Sequence, residues 1–416
     1  MSHTADLAEP HAEFPPSPRD APPQAHRIST DAEALSVAAE LAREFAQEAA
    51  ERDRERRLPW AELARFSASG LGGITIPRAY GGAGVSLTTL TRVFAILCEA
   101  DPALGQIPQN HFAILNIIDK LGSAAQKQRL FEAVLAGQRL GNAGPEKHTR
   151  NTTEVDTQIT RSETGLHISG RKYYSTGALF ADWIPAKVLD PEGRLVLAIV
   201  PRQSPGLTVI DDWSGFGQRT TASGSVLFEQ VPVAEDALLP IWQIAAQPSL
   251  AGPVSQLIQA AIDAGIARAA VTETVKFVQE RARPWIDAQV EHASDDPYVI
   301  RDTGQLYVEL HAAEAVLERA ARLVDQIAAQ PITEDSATRA SIAVAKAKAL
   351  TTEIALAAAE KLFELGGSRA ALGEDNLDRH WRNARTHTLH DPVRWKYYAI
   401  GNYDLNGAQV RRHSWI

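Results

Sequence analysis

The chain holds a single cysteine, Cys98, among 416 residues. An internal disulfide is therefore excluded, and the count fits a reducing, cytoplasmic setting. Cys98 closes the apolar stretch 93–98, which places it in a core and not at a nucleophilic site. No run approaches the ~18 apolar residues of a membrane span. No basic stretch followed by an apolar core marks a secretory signal. No Gly-x-Gly-x-x-Gly follows a strand-like segment, so a nicotinamide-binding fold is not indicated. No His-Glu-x-x-His helix or third ligand supports a metal site. Positive charge is in deficit: 42 Lys and Arg stand against 51 Asp and Glu, a net charge of -9. That balance disfavours nucleic acid and anionic membranes as partners.

What is present is the composition of a soluble globular protein, 44% hydrophobic and 22% charged, long enough for two or three cores. Residues 1–29 carry six prolines among polar residues and read as a disordered tail. From Thr30 the apolar period is helical: Ala34, Val37, Leu41, Phe45 and Ala49, with Thr30-Asp31 as cap. The mixed charges of 51–57 read as a solvated helix end. Helices are expected over 60–69 and 88–99, with one or two more in 111–137. Near Asn142 the period changes. Segments 155–159, 166–169, 172–175, 195–200, 207–210 and 225–228 are short and β-branched or aromatic, with turn residues between them, as in an antiparallel barrel or sandwich. After Pro240 helices return. Leu306, Leu310, Ala313, Leu317, Ala320, Val324 and Ile327 make one stripe. Ile342, Ala345, Ala349, Thr352, Leu356, Ala359 and Phe363 make another, and their small residues suit closely packed long helices of a four-helix bundle. The expected fold is α+β: an α-helical domain over 30–141, a central antiparallel β domain over 142–240 and a helical bundle over 241–416.

The densest chemistry lies in Trp381-Arg382-Asn383-Ala384-Arg385-Thr386-His387 and Leu389-His390-Asp391-Pro392, after a helix ending in Gly366-Gly367-Ser368-Arg369. Together with Ile74-Thr75-Ile76-Pro77-Arg78-Ala79-Tyr80-Gly81-Gly82 and Gly170-Arg171-Lys172-Tyr173-Tyr174-Ser175-Thr176-Gly177, this run resembles the acyl-CoA dehydrogenase superfamily over residues ~30–416. Ala282-Arg283-Pro284-Trp285, the segment 295–301, Asp211-Asp212-Trp213 and Ser223-Gly224-Ser225 are similar to its flavin-dependent monooxygenase branch. That branch includes dibenzothiophene monooxygenases and the SfnB-like sulfur-acquisition oxidoreductases. Leu104-Gly105-Gln106-Ile107-Pro108-Gln109-Asn110-His111 resembles the sulfur-acquisition group. Dibenzothiophene monooxygenases have His and Tyr where Gln106 and Asn110 stand, so a bulky aromatic sulfide is not the expected substrate.

The resemblance implies an FMNH₂-dependent, two-component monooxygenase of a small organosulfur compound, working with O₂ through a flavin C4a-hydroperoxide. The reduced flavin comes from a separate NAD(P)H:flavin reductase. It implies catalytic roles for His390, Asp391, His387, Thr176 and Asn142. Flavin contacts fall to Arg283, Arg369, Asn142, Thr176, Trp213 and Ser223, and the substrate pocket to Gln106, Asn110 and His111. One of the two arginines reaches the flavin phosphate from a neighbouring subunit, which implies a homotetramer. The alternatives are an FAD-dependent acyl-CoA dehydrogenase using Asp391 as base, and a non-catalytic flavin or acyl-thioester binder. Dehydrogenases place Glu where Asp391 stands, or use a carboxylate near Ser255-Gln256, where this chain has none. His387-x-x-His390 also reads as a structural hydrogen-bonded pair, Arg283 and Arg369 as surface ion pairs, and Trp213 as a core residue.

Overall fold

The computed structural model describes residues 25–416. The reading of 1–29 as a disordered tail thus falls mostly outside the described residues. Of the rest of that segment, Ala25 and Ile28 are buried and His26 N donates to Ala68 O.

The N-terminal part is helical: α1 (Asp31–Ala46), α2 (Ala49–Glu55), α3 (Trp60–Ala68), α4 (Leu87–Ala100), α5 (Pro102–Gln106), α6 (Gln109–Leu121) and α7 (Ala124–Leu135). Caps set several starts: Thr30, the cap expected from the sequence, accepts from Glu33 N, and Ser86 accepts from Thr89 N and Ser123 from Gln126 N. The charged stretch 51–57 is not a solvated helix end. Arg52 and Asp53 are only 1% and 8% exposed. Arg52 bonds Asp101 at 2.8 Å and Glu62 at 2.8 Å, Asp53 holds Arg382 at 2.6 Å, and Arg56 reaches Asp211 at 3.0 Å. Mixed charge here marks a junction of three parts of the chain, because each buried ion needs its partner.

The centre is a seven-stranded sheet in the order β5-β6-β2-β1-β3-β4-β7. Its strands are β1 (Gln158–Ser162), β2 (Gly165–Lys172), β3 (Trp183–Leu189), β4 (Leu195–Pro201), β5 (Leu207–Ile210), β6 (Ser225–Val233) and β7 (Leu238–Leu239). Pairing is antiparallel except for one β1–β3 contact, Gln158 with Leu189. Two expectations shift here. The segment 172–175 is no strand of its own: Lys172 ends β2, and Tyr174 turns the chain at φ +56°. Strand β3 is hidden by Pro185, whose carbonyl still accepts from Ala143 N at 3.0 Å.

Beyond the short α8 (Trp242–Ala246) come three long helices, α9 (Ala251–Glu280), α10 (Pro297–Ala328) and α11 (Glu334–Gly366), followed by α12 (Asp378–Thr388) and α13 (Arg394–Asn406). The α10 stripe is buried throughout. Helices α9, α10 and α11 pack together, with α12 across α9 and α11, and α13 against α11. Small residues permit this closeness. A Cβ on Gly265 of α9 would lie 2.6 Å from Ala95 O of α4 and from the buried Cys98. No helix of the described residues is long and apolar enough to cross a membrane.

Candidate active site

Helix α9 is apolar on most faces, yet Gln256, Gln259 and Asp263 recur at spacings of three and four on one of them. All three are buried. This face meets α12 and α11. His387 Nδ1 lies 2.5 Å from Asp263 Oδ1, and its Nε2 lies 2.7 Å from Gln259 Oε1. Lys348 of α11 pairs with Asp263 Oδ2 at 2.5 Å, and Thr352, one turn on, donates to the same oxygen at 2.8 Å. Burial raises the Asp263 carboxyl, but Lys348 and His387 override it and bring it down to about 2. Burial pushes the His387 imidazole down, and Asp263 opposes that.

The network continues past α12. Gln259 Nε2 lies 3.4 Å from His390 Nε2, and His390 Nδ1 lies 2.9 Å from Asp391 Oδ1. Asp391 Oδ2 pairs with Lys396 at 2.8 Å. Asp391 is buried, while 32% of the His390 side chain is exposed. Burial raises the Asp391 carboxyl, but His390, Lys348 and Lys396 override it and hold it far below the ordinary carboxylate range. The C-terminal segment closes this end. Lys396 donates to Trp415 O and Gln256 to Ser414 O.

A second group of residues forms a ledge at the sheet's end. Thr176 and Ser223 hydroxyls lie 2.7 Å apart, Thr221 joins them at 2.7 Å, and Thr221 donates to Gln218 O. The Trp213 indole donates to the same Gln218 carbonyl at 3.0 Å, and Asn142 Nδ2 to Tyr174 O at 3.2 Å. Gln218 N donates to Asn383 Oδ1 at 2.7 Å. Asn383 sits one turn before His387 on α12, so the ledge and the histidine network share that helix. Gly217 is required at the crossing: a Cβ there would meet Arg382 O at 1.9 Å. Three non-glycine residues of the ledge, Tyr174, Gln218 and Ala222, have positive φ. Strain of this kind is retained where geometry serves a site.

Arg283, Arg369 and His111 lie apart from these two groups. Arg369 donates to Arg281 O at 2.8 Å, just past the C-terminal end of α9. Arg283 is exposed and has no hydrogen-bond or ion-pair partner among the described residues. Gln106 and Asn110 are half-buried on α5 and α6, which pack against α9. His111 does not offer a nitrogen to a pocket. Its Nε2 is 2.8 Å from Gly72 O, and its Nδ1 accepts from Leu140 N at 3.0 Å. Burial pushes this imidazole down to about 4, so it is a neutral staple between two loops. Among the described residues no three His, Cys, Asp or Glu are grouped so as to hold a metal ion.

Residues 31–138 match the family model for the acyl-CoA dehydrogenase N-terminal domain, and residues 257–395 that for an acyl-CoA dehydrogenase C-terminal domain. A dibenzothiophene monooxygenase of Mycolicibacterium goodii is 33% identical over 89% of this chain and 93% of its own length. A probable FMNH2-dependent monooxygenase, SfnC, of Pseudomonas putida is 32% identical over 90% of this chain and 95% of its own. The crystal structure of FMN-bound TdsC from Paenibacillus sp. A11-2 superposes with a TM-score of 0.88 at 34% identity, covering 92% of this chain and 100% of that one. The chain belongs to the acyl-CoA dehydrogenase superfamily, in its flavin-dependent monooxygenase branch.

An acyl-CoA dehydrogenase-type scaffold carries a flavin, and the ledge residues fit one. Four buried oxygens on and around the ledge, those of Ser175 Oγ, Gln218 Oε1, Gln106 Oε1 and Thr386 Oγ1, have no hydrogen-bond partner in the protein. A flavin ring edge offers both donors and acceptors to such groups. Gln259, Asp263, Lys348, Gln218 and Lys396 were not among the residues the sequence motifs pointed to. One signal could have found two of them: Gln259 and Asp263, with Gln256, are polar residues on one face of an otherwise apolar helix, and a buried polar face needs partners.

Proposed function

We propose that this chain is the oxygenase component of a two-component system. It transfers one oxygen atom of O₂ to a small organosulfur compound, using FMNH₂ from a separate NAD(P)H:flavin reductase. The observation that carries this reading is the state of Asp391. A dehydrogenase needs an accessible carboxylate to take a carbon-bound proton. Asp391 is buried, engaged by His390 and Lys396, and held in its weakly basic form. What reaches toward open space instead is the imidazole of His390.

Thr176, Ser223, Asn142 and Trp213 would hold the flavin ring, and Arg283 and Arg369, one from each of two chains in a homotetramer, its phosphate. Bound FMNH₂ supplies the two electrons that activate O₂. The protein's own contribution is positional and electrostatic. His390 hydrogen-bonds the reacting oxygen, with Asp391 fixing its Nδ1 as donor. His387 stands behind it, locked by Asp263. The packed helices α9 and α12 keep bulk water from the network. Gln106 and Asn110 line the substrate side as neutral amides, which suit a small polar sulfur compound better than a planar aromatic sulfide. The relatives' names support this class: one oxidises an aromatic sulfur heterocycle and another is a probable FMNH2-dependent monooxygenase. The lone cysteine fits a cytoplasmic setting.

The test is turnover under ¹⁸O₂ with FMN, NADH and a purified flavin reductase, comparing dimethyl sulfone, methanesulfinate and dibenzothiophene. One ¹⁸O atom is expected in the product of a small substrate. Bleaching of FAD-loaded protein by an acyl-CoA, with no labelled sulfur product, would overturn the proposal.

A further inference from the structure

Gln259 stands between two imidazoles. Its Oε1 lies 2.7 Å from His387 Nε2, and its Nε2 lies 3.4 Å from His390 Nε2. The other nitrogen of each ring is already committed, His387 Nδ1 to Asp263 and His390 Nδ1 to Asp391. Ionised carboxylates only accept, so each Nδ1 carries a proton. Two Nε2 atoms then share one amide, and an amide has one accepting end and one donating end. A ring nitrogen facing the oxygen must carry a proton. A ring nitrogen facing the NH₂ must be bare. With both rings neutral, the amide oxygen meets a lone pair. With both rings charged, the NH₂ meets an N–H. Every contact is satisfied only when one ring is an imidazolium and the other is neutral.

We infer that Gln259 is a positioning residue that holds the His387–His390 pair at one shared extra proton, and so keeps a single positive charge beside the reacting oxygen. The inference rests on the reading of His390 given above. In the orientation seen, the proton is on His387 and His390 Nε2 accepts. With the amide turned by half a rotation, the proton is on His390, which then donates. The charges around the pair leave this proton as the net charge of the cluster. Asp263 is matched by Lys348, and Asp391 by Lys396. Cys98 of α4, buried beside Asp263, has its thiol pushed up and stays neutral. His413 of the C-terminal segment, near Lys396 and Asp391, is pushed down by burial and by Lys396. Burial works against an imidazolium on His387. Two acceptor oxygens at 2.5 and 2.7 Å work for it. At His387, which is fully buried, an unpaired nitrogen would lose its bond outright, so these two oxygens favour the imidazolium. A single positive charge here suits an oxygen that becomes negative during reaction.

The test is ¹⁵N NMR of the full chain labelled at histidine, with His387→Gln and His390→Gln assigning the two rings. At pH 7.5 the wild type is expected to show one imidazolium between the two rings. Gln259→Leu, similar in size but apolar, should show none. Gln259→Glu, with acceptor oxygens at both ends, should show two. Two neutral rings in the wild type, or a Gln259→Leu spectrum matching the wild type, would overturn the inference. In ¹⁸O₂ turnover, Gln259→Leu should move the basic limb of the kcat profile to lower pH at unchanged KM. An unmoved profile in an active variant also counts against the inference. A wild type that forms no oxygenated sulfur product defeats the functional reading, while the proton count in the NMR spectrum still decides this one.

Discussion

His387 and Asp263 are in contact at 2.5 Å, both fully buried, with Lys348 on the far oxygen of the carboxylate. Removing one member of such a set leaves another charged and unpaired. Asp263→Asn keeps an oxygen for His387 but strips Lys348 of its counter-ion. The expected loss is about 3–5 kcal/mol of stability. Urea unfolding at pH 7 measures it. Adding Lys348→Met should recover much of the loss, because the orphaned charge is then gone. If Asp263→Asn unfolds at the wild-type urea midpoint, Lys348 is not held by this pair.

His390→Ala should lower sulfur oxygenation by about 10²–10³-fold, the scale of one lost transition-state donor. FMN binding should persist, and O₂ uptake should continue as release of H₂O₂. Asp391→Asn should be milder per folded molecule, since an amide oxygen can still accept from His390 Nδ1. Product and peroxide yields, measured together, separate the two variants. Acyl-CoA-driven flavin bleaching that depends on Asp391 would contradict both expectations.

The fold was legible because its signals are local and periodic. The α10 stripe and the cap at Thr30 need only neighbouring residues to be read. Strand β3 was not legible, because Pro185 breaks the strand signal and its compensation comes from Ala143, 42 positions away. The candidate site divides in the same way. His387, His390 and the hydroxyls of Thr176 and Ser223 lie in recognisable runs. Gln259, Asp263 and Lys348 lie inside helices whose composition looks like core. Their meaning depends on which faces meet, and that is a tertiary fact. His111 shows the converse. It closes a recognisable run, but two distant backbone groups, Gly72 O and Leu140 N, already use its ring.

His111 also gives a pH dependence with a definite sign. Its folded-state pKa, about 4, lies below the ordinary 6.5. The neutral form is the one that fits, so its contribution is fully present above pH ~6.5 and declines as pH falls toward 4. The integrated effect is roughly 3 kcal/mol. His111→Gln cannot titrate. Its stability deficit relative to wild type should be largest at pH 7.5 and shrink by pH 5 in urea unfolding. A deficit that stays constant over that range would show that His111 does not titrate between the two states.

Arg283 and Arg369 test both the cofactor assignment and its sharing between chains. Each would make a charge-assisted contact to the FMN phosphate worth about 1.5–3 kcal/mol. Arg283→Ala and Arg369→Ala should therefore each weaken FMN binding by roughly 10- to 100-fold, read by quenching of flavin fluorescence. If both bind FMN as tightly as wild type, the phosphate assignment is wrong. The mixed oligomer is more discriminating. Suppose one phosphate is held by Arg283 of one chain and Arg369 of its neighbour. A hybrid of the two variants then has one site lacking both arginines and one site with both intact. Unfolding and refolding an equal mixture should restore tight binding at some of the sites, although neither parent has any. If each chain holds its own flavin phosphate, no hybrid site is complete and mixing restores nothing. Recovery in the mixture would establish that the flavin site is built from two subunits.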